Sequence, residues 1–304
     1  MLCVLGFDGG GTKTECFLLD EYANILSRAH AGPSNPGRVG LERALESIKQ
    51  AAESALAQAN VERLAIAAMC AGLSGAGDAK AAESMRIALA AEFPGVKIKV
   101  CTDLEIALVA AGDGPAVVLI AGTGSVAVGR DIAGGMRRAG GLGPQLGDEG
   151  SATDIGRKAL ALAKLYREKT GEESPMGKQM LKQLGNAGKS ALPELFPRLF
   201  PVVANAADAD DEMARGILRD AAGHLAALVK TLIKDLGLEK VPFRLAKTGG
   251  MIGRCAFFDD VLDGRLRHAA PLAKIGLLPI LPAQAAALMA LEMLPDGGNG
   301  KRFA

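Results

Sequence analysis

Residues Leu5–Thr14 read Leu-Gly-Phe-Asp-Gly-Gly-Gly-Thr-Lys-Thr, between one short apolar run and a second, Glu15–Asp20. Consecutive glycines let the backbone turn tightly and bring its N–H groups against a ligand, and such an array favours an anion, most often phosphate. Asp8 is placed to hold a metal that bridges the phosphate, and Thr12 and Thr14 offer hydroxyls. The competing reading is an ordinary glycine-rich hairpin. Two better-known loops are excluded. A Walker A motif needs Lys directly after its second glycine, but Gly6 and Gly11 are followed by Thr12. The fingerprint G-x-G-x-x-G fails because Thr14 stands where the third glycine belongs. The residues that follow are β-rich rather than helical, so strand, glycine turn and antiparallel strand remain.

The rest of the composition narrows the partner. A chain of 304 residues suits two domains of about 100 to 200 residues each. With 35 basic and 34 acidic residues and no run of five like charges, it shows neither a nucleic-acid face nor an acidic tail, which points to a small-molecule partner. The five cysteines, Cys3, Cys16, Cys70, Cys101 and Cys255, are odd in number and mostly inside apolar runs. They read as reduced, buried thiols, and a cytosolic location follows. The first residues lack the basic region of a signal peptide. The charge-free stretch Ile275–Leu291 holds Pro279, Pro282 and Gln284, and reads as a strand or turn followed by a helix rather than a membrane span.

Along the chain, Cys3–Phe7, Glu15–Leu19 and Ile25–Ala29 read as a three-strand meander. Helix 41–59, strand 64–70, helix 78–92, strand 96–101 and a helix from about Thr102 to Ala111 follow, the later strands parallel to the first. The pattern restarts after Gly112–Pro115. Ala116–Ala121 ends in Gly122-Thr123-Gly124-Ser125, Val126–Arg130 returns and Met136–Ala139 is third. Two meanders with matching glycine–hydroxyl turns imply duplicated domains, 1–112 and 113–304, facing one another across a nucleotide. The second half is mainly helical: 151–170, with Ser151 and Asp154 as a capping box, a small insert within 171–188, and a core helix over 211–236. A strand at Phe243–Ala246 leads into Lys247-Thr248-Gly249-Gly250-Met251. The last helix, about 283–294, is available to pack back on the first domain, and 295–304 reads as frayed.

The first turn resembles the phosphate loop of the superfamily of sugar kinases, heat-shock 70 chaperones and actin. The wider motif set is similar to that of the N-acetylglucosamine kinase family, within the BadF/BadG/BcrA/BcrD-type ATPase group. It comprises Asp8–Thr14, Ser34-Asn35, Thr102-Asp103, Ala121–Ser125, Gly147-Asp148-Glu149-Gly150-Ser151 and Thr248-Gly249-Gly250-Met251, in the family's order and over almost the full length. The resemblance implies an α/β fold of two ribonuclease H-like, actin/hexokinase-type domains facing each other across an ATP cleft. It also implies a cytoplasmic, ATP- and Mg²⁺-dependent kinase of an amino sugar, N-acetylglucosamine or glucosamine, for which a homodimer is open.

Residue by residue, the resemblance makes Asp103 the general base and places Asn35, Ser74, Asp103, Gly141, Leu142 and Asp148 at the sugar. Gly10, Gly11, Thr12, Lys13 and Thr14, with Gly122, Thr123, Gly124 and Ser125, would grip phosphates. Gly249, Gly250 and Met251 would lie along the adenosine, and Asp8 would hold Mg²⁺ indirectly. Leu142 departs from the family, which often has tryptophan there, and leaves the sugar open. Each residue also has a local reading. Asp103 is a first-turn acid beside the capping pair Thr102 and Glu105, Asn35 suits an Asx-turn before Pro36, and Asp148 suits a loop-ordering acid before a helix. His30, His224 and His268 lie near none of these motifs. The same wider group contains ATPase activators of CoA-ester reductases and dehydratases, which hold an iron–sulfur cluster through cysteines in glycine-rich segments; Cys70-Ala71-Gly72 offers one such cysteine and no second is suitable. A sugar-sensing regulator would need a helix-turn-helix, for which no residues remain.

Overall fold

The computed structural model describes residues 1–143, 146–185 and 192–295, and these form two compact units. The first contains β1 (Cys3–Gly9), β2 (Thr14–Asp20), β3 (Ile25–Ala31), α1 (Pro36–Val39), α2 (Leu41–Ala59), β4 (Ile66–Leu73), α3 (Ala79–Glu92), β5 (Lys97–Thr102) and α4 (Asp103–Ala110). The second contains β6 (Ala116–Ala121), β7 (Ser125–Arg130), β8 (Met136–Gly140), α5 (Ala152–Thr170), α6 (Pro175–Leu184), α7 (Leu192–Leu195), α8 (Phe200–Asp208), α9 (Glu212–Asp235), β9 (Phe243–Thr248), α10 (Ala256–Ala269) and β10 (Ala273–Leu277). Helix α11 (Pro282–Leu291) belongs to the first unit, which takes up the chain again from Pro279, so the second unit ends at Leu278 rather than running to residue 304.

Each unit is built on a five-stranded sheet, ordered β3-β2-β1-β4-β5 in the first and β8-β7-β6-β9-β10 in the second. In both, a three-strand antiparallel meander is extended by two parallel strands, so the repeat read from the two glycine turns extends to the whole sheet. Strand β1 is buried on both faces, which accounts for its continuous apolar run. Cys3, Leu5 and Phe7 join Ile48, Ala52 and Met85 in one core, while Val4 joins Ile106, Ala286 and Ala290 in the other. At Gly6 the strand meets α11 so closely that a Cβ would overlap Ala287 N and Ala283 O and lie 2.5 Å from Ala287 Cα. In the second unit, Val117, Leu119 and Ala127 meet Ile155, Leu218, Leu225 and Phe258 from the covering helices.

Caps correct one sequence reading. Ser151 Oγ accepts the Asp154 N–H as expected, but the reciprocal bond of a capping box is missing: Asp154 takes the Gly150 N–H at 3.0 Å and pairs with Arg157 and Lys158. Burial opposes this charge, and the Lys158, Gly150 and Arg157 bonds outweigh it, holding the carboxyl below its usual range. Asp154→Asn should therefore cost about 1–2 kcal/mol at neutral pH. A lowered folded pKa gives stability that is present above about pH 4, the ordinary carboxylate value, and lost as pH falls through the folded pKa. Paired thermal melts at pH 7 and pH 3 should show the gap between variant and parent narrowing; a constant gap would place the effect in packing.

Helices α8 and α10 have no counterpart in the sequence reading, although Phe258, Leu262 and Leu266 recur at helical spacing and are buried. Residues 186–191, which include the end of the insert read within 171–188, and the tail, 296–304, lie outside the described residues. All five cysteines are free and buried. No described helix is long and apolar enough to cross a membrane.

Candidate active site

In the first unit, pairing aligns the carboxyl ends of three parallel strands: Gly9 lies opposite Leu73, and Leu73 opposite Thr102. The residues just beyond these ends are the glycine turn, Ser74 and Asp103, at the edge where open α/β sheets place their ligands. Backbone bonds tie the glycine turn to Ser74 and Ser34, with Ser74 N donating to Gly9 O at 2.8 Å and Ser34 N to Gly10 O at 3.1 Å. Gly9 is confined, since a Cβ there would strike Ser34 Oγ and Leu73 Cδ2. Gly10 is open, its hypothetical Cβ meeting only Lys13 O at 3.6 Å.

Asp103 begins α4, but the cap does not need it. Thr102 Oγ1 accepts the Glu105 N–H at 3.1 Å and Glu105 Oε1 accepts the Thr102 N–H at 3.2 Å, a complete capping box. The Asp103 carboxylate is stabilised instead by its own N–H, by the Leu104 N–H and by the Ser74 side chain, each of which favours its charged form. Asn35 Nδ2 donates to Ser74 Oγ at 3.3 Å, which extends the chain of polar groups to Asn35–Ser74–Asp103. Burial raises the Asp103 pKa despite these bonds, making its carboxylate a stronger base. Asp8 is pushed up to about 7, by burial first and then by the charges of Asp103 and Glu15, with Lys13 opposing. Glu15, opposite Asp8 on β2, is buried and receives Arg28 Nε at 2.8 Å, with His30 Nε2 at 3.8 Å.

This crowding of carboxyls beside a glycine turn suits a divalent cation with phosphate, since added positive charge relieves their mutual repulsion. Among the described residues, no group of three or more acidic, His or Cys side chains could hold a metal unaided. Asp8, with the charges of Asp103 and Glu15 close enough to act on it, is a donor of the kind Mg²⁺ takes, which keeps several waters and uses only one or two carboxylates. The Gly11 and Thr12 amides make no hydrogen bond within the described residues, and Thr12 and Lys13 are exposed. Thr14 does not offer its hydroxyl: it is fully buried, donates to Gly32 O at 2.7 Å and lies 2.7 Å from Ser34 Oγ, bracing the turn.

The second unit carries the other predicted residues. The Gly122–Ser125 turn is braced by Ala152 N donating to Gly122 O, Thr153 Oγ1 to Thr123 O at 2.6 Å and Ser125 Oγ to Glu149 O at 2.9 Å. The Gly249-Gly250-Met251 turn abuts it: Met251 N donates to Ala121 O, and a Cβ on Gly249 would overlap the same carbonyl. Met251 is fully buried, so only the backbone of this turn can face a ligand. Asp148 has φ +63° and is buried, with Oδ1 accepting the Ser125 N–H at 3.3 Å. Burial raises its pKa, the Ser125 bond opposes this and Glu149 adds to it. Gly141 N donates to Ser125 O at 3.0 Å, and Leu142 is 59% exposed.

Sequence reasoning passed over Glu15 and Arg38, whose relevance depends on strand pairing and on the path of α1. It also left an iron–sulfur reading open. Cys70 and Cys101, 3.8 Å apart, lie inside β4 and β5 within the core rather than in an accessible glycine-rich loop.

The model of the BadF/BadG/BcrA/BcrD ATPase family matches residues 5–290. The N-acetyl-D-glucosamine kinase of Dictyostelium discoideum is 29% identical over 311 residues, 95% of this chain and 97% of that protein. The N-acetylmuramic acid/N-acetylglucosamine kinase of Clostridium acetobutylicum is 30% identical over 289 residues, 90% of this chain and 94% of that protein. A candidate N-acetylglucosamine kinase from Chromobacterium violaceum has the same fold, with a TM-score of 0.76 and 25% identity, over 95% of this chain and 99% of that one.

Proposed function

The chain belongs to the BadF/BadG/BcrA/BcrD ATPase family, and from that premise we propose that it transfers the terminal phosphate of ATP to a hydroxyl of an N-acetylated or free amino sugar. The observation that carries this reading is the Asn35–Ser74–Asp103 chain of polar groups beside the glycine turn at the ends of β1, β4 and β5. The names of the curated relatives, both amino-sugar kinases, support the substrate class.

Asn35 and Ser74 orient the sugar, and Asp103 accepts the proton of its attacking hydroxyl. The sugar oxygen forms the new bond to phosphorus while the bond to the bridging oxygen breaks, and the nucleoside diphosphate leaves with that electron pair. Mg²⁺, when bound, supplies charge neutralisation, and Asp8 would hold it through water. The amides of Gly11 and Thr12 take phosphate oxygens, and the resemblance gives the glycine turns of the second unit a nucleotide-binding role as well. A coupled ADP-release screen over N-acetylglucosamine, glucosamine and N-acetylmuramic acid tests the reading. Sugar-dependent ADP release is expected with at least one; release equal to the sugar-free rate with all three would overturn it.

Two glycine variants test the nucleotide turns. Gly10→Val inserts side chain into open space, so its effect reads ligand contact alone, whereas a Cβ at Gly124 would meet the Asp148 carboxylate at 2.9–3.2 Å and displace it too. Both should weaken a non-hydrolysable ATP analogue in isothermal titration by at least about tenfold, the scale of one lost charge-assisted hydrogen bond. Unchanged affinity in Gly124→Val would remove the second turn from the site.

A further inference from the structure

Arg38 stands one helical turn after Asn35, in the four-residue helix α1 that Pro36 opens. Its backbone N–H donates to Asn35 O at 3.0 Å, tying its position to the residue that contacts Ser74. Its side chain runs back over the glycine turn. Measured from the position a Cβ would take on Gly11, Nη1 is 3.0 Å away, Cδ 3.3 Å and Cζ 3.9 Å. Arg38 is exposed and joins no ion pair among the described residues, whereas Arg28, the neighbouring guanidinium, is engaged by Glu15. An unpaired surface arginine usually extends into water, where it gains solvation and rotamer freedom. Here it is folded against the turn instead.

The charges around it are unbalanced. Asp8 feels the charges of Asp103 and Glu15, opposed by Lys13, while Arg28 is already committed to Glu15. A triphosphate adds further negative charge, and its terminal group must lie between the glycine turn and the sugar-orienting residues. The guanidinium lies against Gly11, on a residue whose backbone is bonded to Asn35. Its planar fork suits two phosphoryl oxygens at once, which an ammonium group cannot match.

We propose that Arg38 is a further catalytic residue, binding the terminal phosphoryl group of ATP and stabilising the charge that spreads over its equatorial oxygens during transfer. The proposal rests on the kinase reading, and its test is chosen to stand apart from it. Arg38→Ala is titrated with the magnesium complex of the imido analogue of ATP and, separately, with that of ADP. Affinity for the analogue should fall about 10- to 100-fold, the scale of a charge-assisted hydrogen bond, while affinity for ADP stays within about threefold. Equal loss for both nucleotides, or for neither, would overturn the proposal, because a residue that merely braces the turn cannot distinguish a terminal phosphate. This comparison needs no sugar and holds even if the substrate screen fails.

Where the screen succeeds, Arg38→Ala should lower kcat about 10²–10³-fold, as for loss of one preorganised oxyanion donor, with sugar KM little changed. Added guanidinium ion should restore part of the lost rate, and Arg38→Lys should recover less than a tenth of it. A kcat within about threefold of the parent would refute the transition-state role.

Discussion

Asp103→Asn is expected to lower kcat by about 10²–10⁴-fold while leaving sugar KM nearly unchanged, because the substitution keeps the size and most hydrogen bonds of the side chain but removes its proton acceptor. The competing role, a helix-capping acid, predicts a different pair of results. A first-turn carboxylate contributes at most about 1 kcal/mol through the helix dipole and nothing to the chemical step. The capping box is complete without the Asp103 side chain, since Thr102 and Glu105 supply both of its bonds. Melting temperature should therefore move little. Steady-state kinetics and a thermal melt of the same preparation decide the matter. A kcat within about threefold of the parent is too small a change for loss of a general base and would send the search for the base elsewhere.

Gly6→Ala is expected to be the most destabilising single methyl in the first unit. Most glycines in this chain turn the backbone, but Gly6 lies inside β1 and is needed because α11 rests directly on it. The added Cβ would overlap backbone atoms of Ala287 and Ala283, which cannot rotate away as a side chain would. The strand or the helix must shift, and with it the packing of Val4, Ala286 and Ala290. Overpacking of this kind costs typically 1–3 kcal/mol where side chains yield, so about 3 kcal/mol or more is expected where only backbone can move. In a unit of this size that lowers the midpoint by roughly 6–12 °C. Gly10→Ala, with open space at its Cβ, serves as the matched control and should stay within about 2 °C of the parent. A Gly6→Ala midpoint equally close to the parent would mean that α11 does not seat on β1 as described.

What was legible in the sequence is what is encoded locally. The glycine–hydroxyl turns at Gly9–Thr14 and Gly122–Ser125, the alternation of strands with helical periodicity, the Thr102–Glu105 cap and the long apolar face of α9 each depend on residues a few positions apart. Recurrence of one meander in both halves disclosed the duplication, because each sheet starts from the same local instructions. Other features depend on which strands become neighbours. Asn35, Ser74 and Asp103 meet only because β1, β4 and β5 pair in parallel with their carboxyl ends level, and a local pattern holds no information about that alignment. The same holds for residues whose roles moved. Thr14 looked like a phosphate ligand until the approach of Gly32 and Ser34 claimed its hydroxyl, and Met251 looked ligand-facing until its side chain was found in the core. Gly6 read as one more residue of the first strand until α11, from the far end of the sequence, arrived against it. Hydrogen-bond valence, excluded volume and strand register act between residues distant along the chain, so tertiary packing decided which of the polar groups named by sequence remain available for chemistry.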